Sequence, residues 1–173
     1  MGITTKTGDK GTTGIFTGER LTKFSPIVEA NGTIDELSAF IGEAKHYVED
    51  EELKEILEKL QVELYSLMAE IASKGEYKKV GKEEVKWMEN LIHKFEGQVK
   101  IEGFVIPGST VASAKLDICR TIARRAERKV ARVFLEYGIG EDALKYLNRL
   151  SDLLFVMARY VEWKDGKIKY AKD

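Results

Sequence analysis

The densest group of chemically useful side chains in this sequence is a basic run in its second half. Between positions 115 and 132 the chain carries seven basic and two acidic residues: Lys115, Arg120, Arg124, Arg125, Arg128, Lys129 and Arg132, against Asp117 and Glu127. Arg120, Arg124 and Arg128 recur every four residues, so on a helix they share one face. The planar guanidinium group can donate two hydrogen bonds to one phosphate. The run therefore predicts a phosphate site, with a solvated basic face neutralised by glutamates of another helix as the alternative.

A glycine- and threonine-rich segment at the N-terminus could bind the same kind of ligand. Residues 1–24 contain five glycines and seven threonines. In the stretch 5–14, glycines let backbone N–H groups approach oxygen atoms, threonine hydroxyls can donate hydrogen bonds or bind a metal, and lysines neutralise charge. The spacing differs from that of the common P-loop. We predict a ligand-binding loop here, with a flexible tail as the alternative.

Two acidic residues lie where a cationic partner is expected. Asp35 interrupts the apolar face of the first predicted helix, and Asp152 lies beside an apolar run of the last one. A carboxylate at the edge of a core usually has a cationic partner, so arginines of the basic run are the predicted partners. Glu43 and His46 form one Glu-x-x-His pair, but di-iron bundles need two, and the sequence contains no second pair.

Five predicted helices position these residues. Ser25 and Pro26 start the first one, because a serine N-cap followed by proline in the first turn is a common helix start. Apolar residues then recur at a spacing of three and four, at positions 27, 30, 34, 37, 41, 44 and 48, which predicts one buried face. The other helices are predicted over about 53–71, 82–95, 110–137 and 141–163. The fold class is therefore an all-α bundle of five helices.

The bundle is predicted to form one domain of three parts. A glycine-rich N-terminal loop covers residues 1–24 and the helical bundle covers 25–163, with an extended connector at 103–108. The tail, 164–173, contains Asp165-Gly166 between short polar and aromatic segments, which predicts a small C-terminal hairpin.

The composition excludes several classes of partner. The chain has 173 residues, with 28 Lys and Arg against 29 Asp and Glu, so no global charge favours nucleic acid or an anionic membrane. No apolar run approaches the length of about 18 residues that a membrane span needs. The start lacks a signal-peptide apolar stretch. Cys119, the single cysteine, cannot form an intramolecular disulfide and is predicted to be inert core. These features favour a cytoplasmic protein.

Six motifs, in order along the chain, resemble those of the PduO-type ATP:cob(I)alamin adenosyltransferases. They lie at 5–11 (TKTGDKG), 16–20 (FTGER), 32–37 (GTIDEL), 104–108 (FVIPG), 120–128 and 146–152 (YLNRLSD). The resemblance implies a five-helix bundle that assembles as a homotrimer, with ATP and cobalamin bound between subunits. It implies transfer of the 5′-deoxyadenosyl group of ATP to cob(I)alamin with release of triphosphate. It also implies Mg²⁺ on the ATP phosphates, and a reductase and an adenosylcobalamin-dependent mutase as partners.

The resemblance also implies roles for individual residues. ATP contacts would fall on the N-terminal loop, the fourth helix and the fifth: Thr5, Lys6, Thr7, Gly8, Thr13, Gly14, Lys23, Arg124, Arg125, Ala126, Glu127, Arg128 and Asn148. Arg124, Arg120 and Asp35 would act in catalysis, and Asp35 would pair with Arg120 and hold the subunit interface around the site. Phe104 and Phe155 would form an apolar wall below the corrin ring.

Two positions depart from the family's pattern, and one rival function remains. Ser109 stands where a second glycine is expected after Gly108, and Tyr170 alone offers a counterpart to the apolar tail of some relatives. The rival is a non-catalytic nucleotide-binding scaffold that uses the basic face as a protein dock. The loop at 5–14 argues against a protein that serves only as a scaffold, because such a protein has no use for a phosphate cradle.

Overall fold

Five α-helices account for most of the chain in the computed structural model, which describes residues 4–171. They are α1 (Pro26–Lys45), α2 (Glu51–Ala72), α3 (Lys82–Glu96), α4 (Val111–Tyr137) and α5 (Glu141–Lys164). Each corresponds to one predicted helix, so the five-helix bundle is confirmed. Residues 1–3 of the predicted loop and 172–173 of the predicted tail lie outside the described residues. Among residues 4–171, none of the helices combines the length and the apolar composition that a membrane span requires.

Side-chain hydrogen bonds cap the first turns of α1 and α4, two helices that carry much of the candidate site. At α1, the Ser25 hydroxyl accepts a hydrogen bond from the Val28 N–H at 3.4 Å, and Pro26 occupies the first turn. At α4, the Thr110 hydroxyl accepts from the Ser113 N–H and the Ser113 hydroxyl accepts from the Thr110 N–H, both at 3.0 Å. This reciprocal capping box fixes the start of the helix that carries the basic run.

The apolar stripes predicted from the sequence form a single core. The stripe of α1 packs against α2 on one side and α4 on the other, while α5 packs against both α4 and α3. Ile34, Leu37 and Ile41 have no exposed surface. Each such buried side chain contributes about 1.5–3 kcal/mol of transfer free energy, which offsets the entropy lost on folding. The charged faces of α1 and α4 are left at the edge of this core.

The N-terminal segment contains a small hairpin that the sequence did not reveal. Strands β1 (Thr12–Gly14) and β2 (Arg20–Thr22) pair antiparallel, with Thr13 opposite Leu21. Three-residue strands are too short to show an alternating pattern, which explains the omission. Ile15 and Leu21 pack against the helical core and attach the hairpin to the bundle.

The predicted C-terminal hairpin is wrong. Trp163 and Lys164 remain in α5, because the backbone N–H of Asp165 bonds to Val161 O and that of Lys167 to Glu162 O, which completes the helix end. The tail instead pairs with the connector between α3 and α4. The Ile106 N–H donates to Lys169 O, and the Ala171 N–H donates to Phe104 O, both at 2.8 Å. The tail therefore holds the connector on which Phe104 lies.

Candidate functional site

The basic run lies on α4, and its side chains divide between two faces of that helix. Five of the seven basic residues have an acidic partner on α1 or α4: Lys115 with Glu43, Arg120 with Asp117, Arg125 with Glu36, Lys129 with Glu29 and Arg132 with Glu136. Within 4–171, Arg124 and Arg128 have no carboxylate within 4.0 Å. The alternative from the sequence, a basic face neutralised by glutamates of another helix, therefore applies to the face of α4 that meets α1. It leaves Arg124 and Arg128, four residues apart and both exposed, for an anion from outside the chain.

Arg124 opens onto a cavity of about 350 Å³, which we call the arginine cavity. Its lining comes from α4 and α5, with two residues of α3: Arg120, Arg124, Ser151, Asp152, Phe155, Ile92 and Glu96. The Arg120 guanidinium carbon lies 6.0 Å from the centre of the Phe155 ring. The cavity thus combines two cationic side chains, two acidic ones and an aromatic wall.

Neither predicted carboxylate pairs with an α4 arginine within the chain. Asp152 pairs with Arg149, one turn away on α5, at 3.2 Å. Asp35 is exposed on α1, and the pair to α4 is made by its neighbour Glu36, whose side chain faces that helix. The partner of Arg120 inside the chain is Asp117. Pairing of Asp35 with Arg120 across a subunit interface stays a prediction.

The glycine-rich loop is held in shape by Arg20. Its guanidinium Nη2 donates to Thr7 O at 2.6 Å, to Thr12 O at 3.2 Å and to the Thr12 hydroxyl at 2.9 Å. Lys6, before these contacts, has a φ of 58°, a left-handed conformation that residues other than glycine rarely adopt. Strained backbone of this kind is common in ligand-binding loops. The role of Arg20 was missed, although it belongs to one of the six motifs, because its acceptors are backbone carbonyls.

The structure brings several predicted ATP contacts together around the hairpin. A Cβ added to Gly8 would lie 3.3 Å from Lys23 Nζ, so the lysine reaches over the loop. Thr13 and Gly14 lie at the mouth of a cavity of about 560 Å³ between the hairpin, α1 and α2, the hairpin cavity. Its remaining wall is mostly apolar and includes exposed Asp35. Thr13 and Lys23 also line a neighbouring cavity of about 430 Å³ along α1.

The hairpin cavity and the arginine cavity share no lining residue. Thr13, Gly14 and Asp35 belong to the first, whereas Arg120, Arg124 and Phe155 belong to the second. These predicted site residues therefore fall into two groups, one beside the hairpin, α1 and α2 and the other beside α4 and α5.

Other predicted residues have structural partners of their own. Ala126 is fully buried, so its side chain does not reach the surface. The Asn148 side-chain amide donates to Glu127 Oε1 at 2.9 Å and links α5 to α4 beside Arg124. Cys119 is fully buried, as predicted, and burial raises the pKa of its thiol to about 12. That thiol stays protonated at neutral pH and offers no nucleophile.

The two predicted aromatic residues are placed differently. Phe155 is half-buried in the wall of the arginine cavity. Phe104 lies on the connector with 87% of its surface exposed, outside that cavity. A phenylalanine so exposed forgoes about 2 kcal/mol of burial free energy, which suits a residue that contacts a ligand or a second subunit.

The part of the chain that the structure describes contains no cluster of three or more His, Cys, Asp or Glu side chains that could hold a metal ion. The side-chain oxygens near the loop are the threonine hydroxyls and the carboxylates of Asp9 and Glu19.

Arg124, which has no carboxylate within 4.0 Å among residues 4–171, lines one cavity with the Phe155 ring, and Arg20 holds the glycine-rich loop. These are features of a helical protein that binds phosphate-bearing ligands. A family profile described as cobalamin adenosyltransferase matches residues 3–161. The chain belongs to the cobalamin adenosyltransferase family.

Individual relatives agree with this family. The chain is 38% identical over 165 residues to the corrinoid adenosyltransferase PduO of Citrobacter freundii, a match that covers 92% of this chain and 49% of that protein. It thus spans about half the length of this relative and of its Salmonella typhimurium counterpart. The corrinoid adenosyltransferase of Bacillus subtilis is 40% identical over 173 residues, which cover 96% of this chain and 89% of that protein.

The fold is similar to that of solved family structures. A variant PduO-type ATP:corrinoid adenosyltransferase from Lactobacillus reuteri, complexed with cobalamin and ATP, superposes with a TM-score of 0.94 at 31% sequence identity. That match covers 99% of this chain and 97% of the other.

Proposed function

We propose that this chain transfers the 5′-deoxyadenosyl group of ATP to cob(I)alamin, forming adenosylcobalamin and triphosphate. The observation that carries the proposal is the sorting of the basic residues on α4. In a chain with nearly balanced charge, five of these residues have acidic partners, while Arg124 and Arg128 have none within 4.0 Å among residues 4–171. Of these two, Arg124 lines the arginine cavity. Support comes from family membership and from the relative whose structure holds both ATP and cobalamin.

The reaction needs no nucleophile from the protein. The cobalt of cob(I)alamin supplies an electron pair to C5′ of ATP, the Co–C bond forms, and the C5′–O bond breaks. Triphosphate leaves with that bonding pair. The protein's task is to hold the reactants in line and to stabilise the growing charge on the leaving group. Arg124, Arg128, Lys6 and Lys23 are the groups suited to this task, with Mg²⁺ on the phosphates.

The aromatic residues serve the cobalt side of the reaction. Cobalt must first reach the Co(I) state, and Co(II) without a lower axial ligand is easier to reduce. Phe104 and Phe155 are apolar and offer no ligand atom, so a wall built from them would exclude water and the lower ligand. We infer a separate reductase as electron donor, a mutase as recipient of the product, and a reducing cytoplasm as the setting.

The two groups of site residues support a homotrimer. The hairpin cavity offers the loop and Asp35, and the arginine cavity offers Arg120 and Arg124, on different sides of one chain. A single ATP could contact both groups if the loop of one subunit faced α4 of the next. Asp35 would then meet Arg120 of the neighbouring subunit and fix that interface.

The direct test of the function is a spectrum. Incubation with ATP, Mg²⁺ and chemically reduced cobalamin is expected to produce the light-sensitive absorption bands of adenosylcobalamin. A non-catalytic scaffold would bind Mg-ATP in equilibrium dialysis without producing those bands. Reoxidation of cob(I)alamin alone, at high protein concentration, would refute the proposal.

The assembly gives a second expected result. Light scattering at micromolar concentration and moderate salt should return a mass three times that of the monomer. Asp35→Lys should lower this mass, because it places two cations opposite each other in the inferred interface. Glu49→Lys, which changes an exposed acid at the α1–α2 turn, is the matched control and should remain trimeric. A monomeric mass for the unmodified chain would contradict the trimer.

A third expected result concerns the N-terminal loop. Residues 4–7 and 9–11 are exposed, and few apolar side chains there offset the entropy cost of ordering glycine-rich chain. Trypsin should cleave after Lys6 and Lys10 in the free protein, and Mg-ATP should slow both cuts as the loop closes over the triphosphate. Cleavage after Lys100, which is exposed between α3 and the connector, is the internal control and should not change. Equal rates at Lys6 and Lys10 with and without Mg-ATP would show that the loop is no lid.

A further inference from the structure

A buried network of charges connects the arginine cavity to the segment that carries Phe104. Arg159 of α5 is only 1% exposed, and its Nη2 donates to Asp117 Oδ2 at 2.6 Å and to Glu162 Oε1 at 3.2 Å. The other oxygen of Asp117 accepts from Arg120 Nε at 3.2 Å. Glu162 Oε1 also accepts the backbone N–H of Ser109 at 3.0 Å. One continuous set of contacts thus runs from Arg120 to the connector.

Stability alone does not account for this arrangement. Two arginines and two carboxylates balance in charge, but a buried ion network is often no more stabilising than apolar side chains of the same volume. The Ser109 hydroxyl, at one end, is buried and has no hydrogen-bond partner among residues 4–171. What the network does provide is fixed geometry, because each carboxylate is shared between two donors.

One end of the network holds the aromatic wall of the arginine cavity. The guanidinium carbons of Arg159 and Arg120 lie 5.2 Å and 6.0 Å from the centre of the Phe155 ring. Cations at such distances from a ring attract it and restrict its orientation. Asp117 bonds to both arginines and therefore sets the position of both cations relative to the ring.

The other end anchors the connector. Glu162 holds the Ser109 N–H directly after Gly108, whose φ of 87° turns the chain into α4. The opposite end of the connector is held by the tail, through the pairing of residues 104 and 106 with residues 169–171. The tail itself begins at the end of α5, where the Lys167 N–H donates to Glu162 O. The side chain and the backbone of Glu162 thus restrain both ends of the connector.

We propose that Asp117, Arg159 and Glu162 are positioning residues, which fix Arg120, the Phe155 ring and the Phe104 connector relative to one another. The identity of the ligand, a corrin whose lower face meets the aromatic wall, rests on the proposed function. The network acts through the residues at its two ends and does not itself touch the reactants. Removal of one charge from this network should therefore increase the mobility of both the Phe155 wall and the Phe104 connector.

The proposal is tested first without any substrate, by hydrogen–deuterium exchange of the 104–110 peptide. Glu162→Gln keeps the side-chain volume and removes the charge, and it should speed exchange in this peptide. Asp117→Asn should have the same effect from the far end of the network, and it provides a second variant if Glu162→Gln does not fold. Glu63→Gln is the matched control, because Glu63 is also buried and bonded to α5, through the Tyr146 hydroxyl at 2.7 Å. It should leave the peptide unchanged.

The second readout separates positioning from general loss of structure. Glu162→Gln and Asp117→Asn should each slow the reaction that starts from cob(II)alamin and a reductant about tenfold more than the reaction that starts from cob(I)alamin, since misplacement of the wall affects the reduction step. Glu63→Gln should leave this ratio as in the unmodified chain, whatever its melting temperature. When Phe104→Ala is already present, Glu162→Gln should no longer change the ratio of the two rates. Both substitutions are expected to act on the same aromatic wall, so their effects should not add.

The outcomes distinguish this proposal from the proposed function. If the unmodified chain forms no adenosylcobalamin, the function fails, and the exchange experiment still decides whether the network holds the connector. Exchange of the 104–110 peptide that is the same in the Glu162→Gln, Asp117→Asn and unmodified proteins would overturn the positioning role. A ratio of rates that changes equally in Glu162→Gln and Glu63→Gln would overturn it as well.

Discussion

Arg124→Ala is expected to reduce the rate of adenosylcobalamin formation by about 10²- to 10³-fold, the cost typical of removing one donor from a site where charge develops in the transition state. Arg124 is exposed, has no acidic partner within 4.0 Å among residues 4–171, and lines the arginine cavity. Its removal would therefore take away the proposed charge-assisted contact to the triphosphate and leave the core and the ion pairs of α4 in place. The melting temperature should change little.

The matched control for Arg124→Ala is Arg132→Ala. Arg132 is an exposed arginine of the same helix, and its partner is Glu136 at 2.6 Å. Removal of such a surface pair costs at most about 1 kcal/mol of stability and should not affect turnover. Arg124→Lys should restore only part of the activity, because a lysine keeps the charge but loses the two-pronged donor geometry. Near-normal turnover in the alanine variant would remove Arg124 from the site.

Phe104→Ala is expected to have the second-largest effect, and that effect should depend on the oxidation state of the substrate. From cob(II)alamin and a reductant the rate should fall by about 10²-fold or more, in line with the cost of misplacing a reacting group by roughly 1 Å. From cob(I)alamin the loss should be much smaller, since the reduction has already taken place. The measurement compares initial rates of adenosylcobalamin formation from the two starting states at saturating Mg-ATP.

Leu135→Ala is the matched control for Phe104→Ala. Leu135 is a large apolar side chain with 82% of its surface exposed, comparable to the 87% of Phe104, but it lies near the far end of α4. If the effect of Phe104→Ala came from a general loss of apolar surface, both variants would slow the reaction alike. Equal losses from cob(II)alamin and cob(I)alamin in Phe104→Ala would show that this ring does not exclude the lower ligand.

Local patterns in the sequence were sufficient for the helices and for one face of the site. The serine and proline at 25 and 26 start α1 through contacts within four residues, and the apolar spacing of its stripe reports burial directly. The arginine face of α4 follows from the same periodicity. For such features the physical cause lies within a few turns of one helix, so the sequence displays it.

Contacts between distant segments account for what the sequence could not predict. Arg20 clamps the loop through carbonyl oxygens, which every residue has, so no residue type marks its acceptors. Asp117 was visible only as an acid within the basic run, yet its two partners lie on α4 and α5. The tail was predicted to form a hairpin with itself, whereas its backbone instead pairs with that of the connector, more than sixty residues away in the sequence. Only the packed structure determines which of these partners meet.

The burial of Cys119 has a practical consequence for spectroscopic study of the protein. The chain has one cysteine, and its pKa of about 12 leaves almost none of it as the thiolate that reacts with maleimides. An ordinary exposed thiol has a pKa near 8.5, so at pH 7.5 a cysteine introduced at Thr17 in the exposed hairpin turn would react roughly a thousandfold faster. A fluorescent or spin label could thus be attached to the hairpin in the otherwise unaltered protein. In the proposed trimer, distances between such labels on neighbouring subunits would follow the hairpin through the proposed reaction.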